Sequence, residues 1–217
     1  MIAVIHSYCA FDYQKILVQK FRRMRTSGLL ESLDKIYIPV VNYKKGIKFF
    51  EDYKKLSPKI EVFELESSFK NECDTLNWLK KKFESEPNTP ILYTHTKGVT
   101  QKHPTIKKNV DLWVKYMDYW CIWNWKECVE SLKSFDTAGG MFYGNHYCGN
   151  FYWLNSDYMK TLPTIDQEIH KNINRGEFWI GCNSQLKAYD VNKISFPEGH
   201  DFYLHYYIAP DTFPQGF

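Results

Sequence analysis

Thr94-His95-Thr96-Lys97-Gly98 sets two hydroxyls, an imidazole and an ammonium side by side, closed by a glycine. The apolar run just before it, Ile91-Leu92-Tyr93, has the pattern of a strand buried on both faces. Open α/β sheets bind their ligands beyond the carboxyl ends of such strands. On an extended backbone Thr94 and Thr96 point one way and His95 the other. Lys97 adds a mobile positive charge, and Gly98 permits a sharp turn or a close approach to a ligand. This set suits a phosphate or a sugar, although a polar strand end closed by a glycine turn has the same composition.

The elements that must position these groups follow from periodicity. Ile2 to Ser7 reads as a first strand, ending in His6-Ser7-Tyr8. A helical segment from about Tyr13 to Leu33 has Leu17, Phe21, Met24 and Leu29 as its apolar stripe. Its Lys15, Lys20, Arg22, Arg23 and Arg25 read as a solvated face, with a member that reaches the sheet's carboxyl edge able to help hold a phosphate. Strands at Lys35 to Val41 and Ile60 to Leu65 flank a helix around Gly46 to Leu56. A third helix, about Asn71 to Phe83, starts near Asp74, which suits a cap or a place beside a ligand. The first hundred residues thus alternate β-α-β-α-β-α-β, the pattern of a parallel sheet covered by helices. Right-handed crossovers put His6-Ser7-Tyr8 and Thr94-His95-Thr96-Lys97 on one edge, sharing a crevice.

The second half has a different grammar. The longest helix is expected from Asn109 to about Ser134, with Val110, Trp113, Met117, Trp120, Trp125, Val129 and Leu132 as core. Then come a glycine-rich strand and loop from Ala138 to Asn145 and a strand from His146 to Trp153. Asn155-Ser156-Asp157 caps a short helix, a further helix runs from Ile165 to Asn174, and strand pieces follow at Lys187 to Tyr189 and Phe202 to Ile208. With no repeat or low-complexity linker, one α/β domain spans 1–217. Its sheet is mixed, mostly parallel and flanked by helices, with residues 1–100 forming a nucleotide-type half and 101–217 an aromatic half.

The chain has 217 residues, 24% charged, with a formal net charge of only +3, which argues against a nucleic-acid binder. Aromatic residues make up 18%, a surplus that suits both a core and surfaces that stack on sugar rings. Cys9, Cys73, Cys121, Cys128, Cys148 and Cys182 form no C-x-x-C pair or zinc spacing, so free thiols in a reducing compartment are expected. There is no secretory signal and no apolar run near the roughly 20 residues of a membrane span. A soluble protein of the cytoplasm, without a transmembrane segment, is the expectation.

Thr94-His95-Thr96-Lys97-Gly98 after a strand, the tryptophan-bearing helix, Gly149-Asn150-Phe151-Tyr152-Trp153 and Glu177-Phe178-Trp179-Ile180-Gly181 together resemble a group of small glycosyltransferases. Members occur in bacteria and in large algal viruses, including chlorella-virus capsid-glycosylating enzymes. The resemblance runs through nearly the whole chain and implies a GT-A (Rossmann-like) fold. It also implies a hexosyl- or deoxyhexosyltransferase that moves a sugar from a nucleotide-diphosphate-sugar donor to a glycan or glycoprotein acceptor. One departure matters. Many GT-A enzymes carry Asp-x-Asp at the end of the fourth strand to hold a divalent metal, and Thr94-His95-Thr96 has no carboxylate. Either Lys97 and nearby donors neutralise the diphosphate, or Mn²⁺ or Mg²⁺ binds through other ligands, with Asp74, His200, Asp201 and His205 as contributors.

Under this resemblance Glu177 is the expected catalytic base, taking the acceptor hydroxyl's proton in an inverting transfer. It matches the place where similar enzymes set an acidic residue, and a helix-start glutamate is its structural alternative. Asp157 is the second candidate. The donor is assigned to His6, Ser7, Tyr8, Asp74, Thr94, His95, Thr96 and Lys97. The acceptor is assigned to His146, Gly149, Asn150, Tyr152, Trp153 and Trp179, with only one of Tyr152 and Trp153 able to line the site. His103 and His170 are expected at the surface. The competing readings are a non-catalytic carbohydrate-binding module, which the aromatic surplus would suit, and another nucleotide-using α/β enzyme such as a methyltransferase. No G-x-G-x-x-G follows the first strand, which disfavours a dinucleotide fold.

Overall fold

The apolar runs of the first hundred residues form strands because each is buried on both faces, and the amphipathic segments between them form the covering helices. The computed structural model describes residues 1–66, 71–166, 175–192 and 213. The first half consists of β1 (Ile2–Tyr8), α1 (Tyr13–Thr26), α2 (Leu29–Ser32), β2 (Lys35–Val41), α3 (Ile47–Leu56), β3 (Ile60–Glu64), α4 (Cys73–Lys82) and β4 (Pro90–His95). The second half follows with α5 (Pro104–Asp118), α6 (Trp125–Ser131), β5 (Thr137–Gly139), β6 (Phe142–Tyr143), β7 (His146–Tyr147), β8 (Tyr152–Asn155), α7 (Ser156–Thr161), α8 (Arg175–Phe178) and β9 (Ala188–Asp190).

One mixed, mostly parallel sheet of seven strands joins both halves, in the order β3-β2-β1-β4-β8-β5-β9. β1 pairs in parallel with β2 and β4, and β2 with β3. β8 is antiparallel to both β4 and β5, whereas β5 and β9 are parallel, so β8 alone runs against the rest. A two-stranded hairpin, β6-β7, stands beside the sheet. Two apolar layers result. On one face Leu17, Phe21 and Met24 of α1, Phe50 of α3 and Val110, Trp113 and Met117 of α5 pack on Ala3, Ile5, Ile38, Leu92 and Trp153. On the other, Leu76 and Leu79 of α4 and Met159 of α7 pack on Val4, Ile91, Tyr93 and Tyr152.

Five expectations change. The helix expected from Tyr13 to Leu33 breaks at Ser27-Gly28, where Gly28 takes φ +74°. The long helix to Ser134 is three pieces, with a π-helical turn at Tyr119–Trp123 between α5 and α6. There the Asn124 N–H donates to the Tyr119 carbonyl at 3.0 Å, five residues back, and the extra residue rephases the apolar stripe. The strand expected from His146 to Trp153 is β7 and then β8, separated by Cys148 to Phe151. Lys20 is not on a solvated face. It lies fully buried against the sheet, its Nζ 2.5 Å from Asp118 Oδ1 and 4.2 Å from the Phe151 ring centre. Ile165 and Asp166 are not helical; the rest of the helix expected to Asn174 and the piece at Phe202 to Ile208 lie outside the described residues. Among the described residues no helix is long and apolar enough to cross a membrane.

Candidate active site

Parallel pairing of β1 with β4 sets His6 directly beside His95, and both strands end at one edge of the sheet. Two bonds stitch this edge: the Thr96 N–H donates to the His6 carbonyl, and the Tyr8 N–H to Thr96 Oγ1, each at 3.0 Å. Gly98 takes φ +77° and turns the chain into the loop before α5. A side chain there would run into Val110, so its close approach is to α5, not to a ligand. Lys97 lays its ammonium 4.1 Å over the Trp113 ring.

The helix after β3 begins at the same edge, because a parallel crossover returns its helix from the carboxyl end of the strand. It delivers Thr75, whose Oγ1 lies 2.8 Å from His6 Nδ1, and Glu72, whose Oε2 accepts the Tyr93 hydroxyl at 3.2 Å and lies 3.6 Å from His95 Nε2. From the second half comes the loop between β7 and β8. The Gly149 carbonyl sits 3.0 Å from His95 Nε2, and the Gly149 N–H donates to Glu177 Oε1. Gly176, one residue before, packs against the Glu72 side chain. Gly149, through its N–H and its carbonyl, thus joins Glu177 to the His95 imidazole, with Glu72 3.6 Å beyond, in the series Glu177–Gly149–His95–Glu72.

Burial, then the positive charge of Lys97, pushes the His95 imidazole down to about 3. Burial pushes His6 down to about 4, with Glu72 pulling the other way. Both rings are neutral near pH 7. A neutral His95 that donates Nε2–H to the Gly149 carbonyl keeps Nδ1 as an acceptor, the tautomer being assigned from that partner. Burial also lowers His146, which Glu177 pulls the other way; its ring stands 4.5 Å from that of Phe178.

Asn150 follows Gly149 with φ +61°, is 2% exposed, and neither its amide oxygen nor its nitrogen has a hydrogen-bond partner among the described residues. Such an orphaned amide costs about 1–3 kcal/mol. Beside the cluster a cavity of about 490 Å³ runs along the ends of β1, β2 and β3, lined by Tyr8, Asn42, Lys44, Lys45, Glu64 and Glu66 among others.

The structure thus brings together His6, Tyr8, His95, Thr96, Lys97, Gly149, Asn150 and Glu177. Asp74 stands half-buried in the first turn of α4 without capping it, since Asn71 Oδ1 takes the Cys73 N–H. Six assignments are corrected. Ser7 and Thr94 lie on the face of Ala3, Ile5 and Leu92, opposite to that of His6 and His95, so neither hydroxyl joins the cluster around those rings. Tyr152 and Trp153 are both fully buried, so neither lines the site; Tyr152 stacks on Tyr93 and Trp153 Nε1 donates to the Cys121 carbonyl at 2.8 Å. Trp179 is 1% exposed and donates to the Pro163 carbonyl, a core role in place of an acceptor platform. Asp157 sits at the opposite edge, accepting the Asn88 N–H at 3.1 Å and pairing with Lys160 at 2.9 Å. Glu72 was not anticipated: a glutamate at a helix start is ordinary, and only the crossover carries it to the site.

Among the described residues no group of three or more His, Cys, Asp or Glu side chains could hold a metal ion; His200, Asp201 and His205 lie outside them, as does His170.

No protein-family model matches the chain, and no curated protein matches it. Among solved structures it is similar to the crystal structure of Rv0371C in complex with manganese from Mycobacterium tuberculosis H37Rv, at 9% identity and a TM-score of 0.42, over 88% of this chain and 86% of that one.

Proposed function

We propose that the chain is a glycosyltransferase that moves a sugar from a nucleotide-diphosphate-sugar donor to a hydroxyl of a glycan or protein-linked acceptor. The observation that supports this best is the Glu177–Gly149–His95–Glu72 series at the carboxyl edge, with Lys97 next to it. It offers a carboxylate, a neutral imidazole acceptor and a cation where open α/β sheets bind ligands.

In this reading the acceptor oxygen attacks the anomeric carbon from the side opposite the diphosphate. Glu177 takes the hydroxyl proton as the new C–O bond forms. The old C–O bond breaks and its electron pair leaves with the diphosphate, whose charge Lys97 offsets. His95 Nδ1 accepts a hydroxyl of the sugar, a task for a neutral ring and not for a phosphate-binding imidazolium. Glu72 and Tyr93 fix that ring, and the unpartnered Asn150 amide supplies a donor and an acceptor to sugar hydroxyls. A metal bound through residues outside the described ones would supply further charge at the diphosphate. The rival reading, a sugar-binding module, rests on the aromatic surplus, and Trp113, Trp120, Trp125, Trp153 and Trp179 are spent in the core.

Nucleotide release from UDP-, GDP- and dTDP-sugars, measured with Mn²⁺, with Mg²⁺ and with chelator, tests the reading. Glu177→Gln keeps an oxygen for the Gly149 N–H, so donor binding survives while release falls by roughly 10²–10⁴-fold. A wild-type protein that neither binds nor turns over any donor in the panel sinks the reading.

A further inference from the structure

The cavity beside the cluster holds charges of both signs that do not neutralise one another. Lys44 and Lys45 follow the end of β2, and Glu64 and Glu66 stand at and just beyond the end of β3; all four line it. None of the four makes an ion pair or a side-chain hydrogen bond among the described residues. Their neighbours behave differently: Glu51 pairs with Lys54, Asp52 with Lys55 and Glu61 with Lys35. Asn42, between the two groups, takes φ +60° and Tyr8 closes the side toward β1.

The charges also lie in a definite order along the edge. Strand order β3-β2-β1-β4 places the carboxylates first, the two lysines next, Tyr8 third and His95 with Lys97 last. Three strand spacings of about 4.8 Å separate the outer strands, roughly 14 Å in all. A nucleotide-sugar lying along this edge, with its sugar at His95, sets its diphosphate between Lys97 and the two lysines, its ribose beyond β2 and its base against Glu64 and Glu66.

We propose that this cavity selects guanine, through a carboxylate of Glu64 or Glu66 that accepts the base's N1–H and 2-amino group together. The inference rests on the nucleotide-sugar reading and goes further by naming the base. A carboxylate has only acceptors, and guanine alone among the common bases presents two adjacent N–H donors on its pairing edge. Uracil and thymine flank their one N–H with carbonyl oxygens, which a carboxylate repels. Adenine sets its amine beside a ring-nitrogen lone pair, with the same result.

Calorimetric titration of the full chain with GDP, IDP and UDP in Mg²⁺ buffer tests this, since inosine differs from guanosine only by the missing 2-amino group. GDP should bind at least tenfold more tightly than IDP, the size expected for a hydrogen bond to a charged acceptor. UDP should bind more weakly than either. Glu64→Ala and Glu66→Ala, at exposed positions that the fold tolerates, should abolish the GDP–IDP difference in one or both variants. Equal affinity for the three nucleotides, lowered equally by the alanine variants, would place the carboxylates on the ribose hydroxyls and overturn the inference. Preference for UDP overturns it while the donor reading stands. Absence of binding by any nucleotide overturns both.

Discussion

Two polar clusters lie against the two faces of the sheet at β4, and they are finished to different degrees. Under α1 and α5, Asp118 is fully buried and takes Lys20 on one oxygen and Arg23 on the other, each at 2.5 Å. Each of the three charged groups there has an ionic partner, and the Lys20 ammonium also rests over Phe151. Around α4 and the β7–β8 loop, His6, His95, Glu72 and Glu177 are tied together, but Asn150 is left without partners. His95 touches both worlds, its ring edge-on to Phe151 at 5.1 Å. A saturated cluster is spent on holding α1 and α5 to the sheet. An unfinished one keeps bonding capacity for something that arrives.

The sharpest way to break this contrast is to unbalance the saturated side. Asp118→Asn leaves Lys20 charged and buried without a counter-ion, and burial already lowers the lysine's pKa. We expect a loss of about 3–5 kcal/mol in urea denaturation. Replacing both members, Lys20→Met with Asp118→Leu, should recover most of that loss, because Arg23 is partly exposed and can turn to water. A double variant as unstable as the single would mean that the ions fix the geometry beyond mutual neutralisation.

The unfinished side should instead reveal itself through pH. His95 and His6 sit at about 3 and about 4 in the folded chain, below the ordinary histidine value. Between that value and the folded one, the unfolded state binds more protons, so stability rises with pH through this window. The contribution is complete above about pH 6.5 and is lost as pH falls toward 4, on the order of 2 kcal/mol per ring between pH 6.5 and 5. Denaturation midpoints at pH 7, 6 and 5 check this, with His95→Gln flattening the slope. An unchanged slope would mean that the ring is protonated or solvated in the folded chain.

Much of this arrangement was legible in residue order, and the failures have physical causes. The edge that joins His6 to His95 follows from two apolar runs and the handedness of parallel crossovers. Lys20 was misread because its neighbours Lys15, Arg22 and Arg23 make a basic run. Its spacing was nonetheless informative: it lies four residues after Ile16 and four before Met24, both buried. The π turn at Tyr119–Trp123 shows only as one irregular step, Trp120 to Trp125 at five residues, in a stripe otherwise spaced by three and four. Trp153 and Trp179 could not be told from sugar platforms, because a buried indole and a stacking one have the same neighbours in sequence. Glu72 and Glu177 meet only through the tertiary approach of Gly176 to Glu72, which no local pattern encodes.

The subtlest test concerns Asn150, where the two clusters should respond with opposite signs. Replacing a member of the saturated cluster costs stability; replacing Asn150 by glycine should add it. The wild-type residue holds a left-handed backbone and buries two amide atoms without partners. Glycine removes the orphaned amide, a gain of about 1–3 kcal/mol, and adopts φ +61° without strain. Against this, glycine makes the unfolded chain more flexible, at about 0.5–1 kcal/mol. The net expectation is a gain of about 1 kcal/mol, accompanied, if the proposed transfer holds, by a rise of roughly tenfold in KM for the donor, one lost amide contact. Stability that rises with no change in KM would mean that Asn150 is strained for no ligand. A loss of stability would mean that its amide is already satisfied, and the site would then be as closed as the cluster around Asp118.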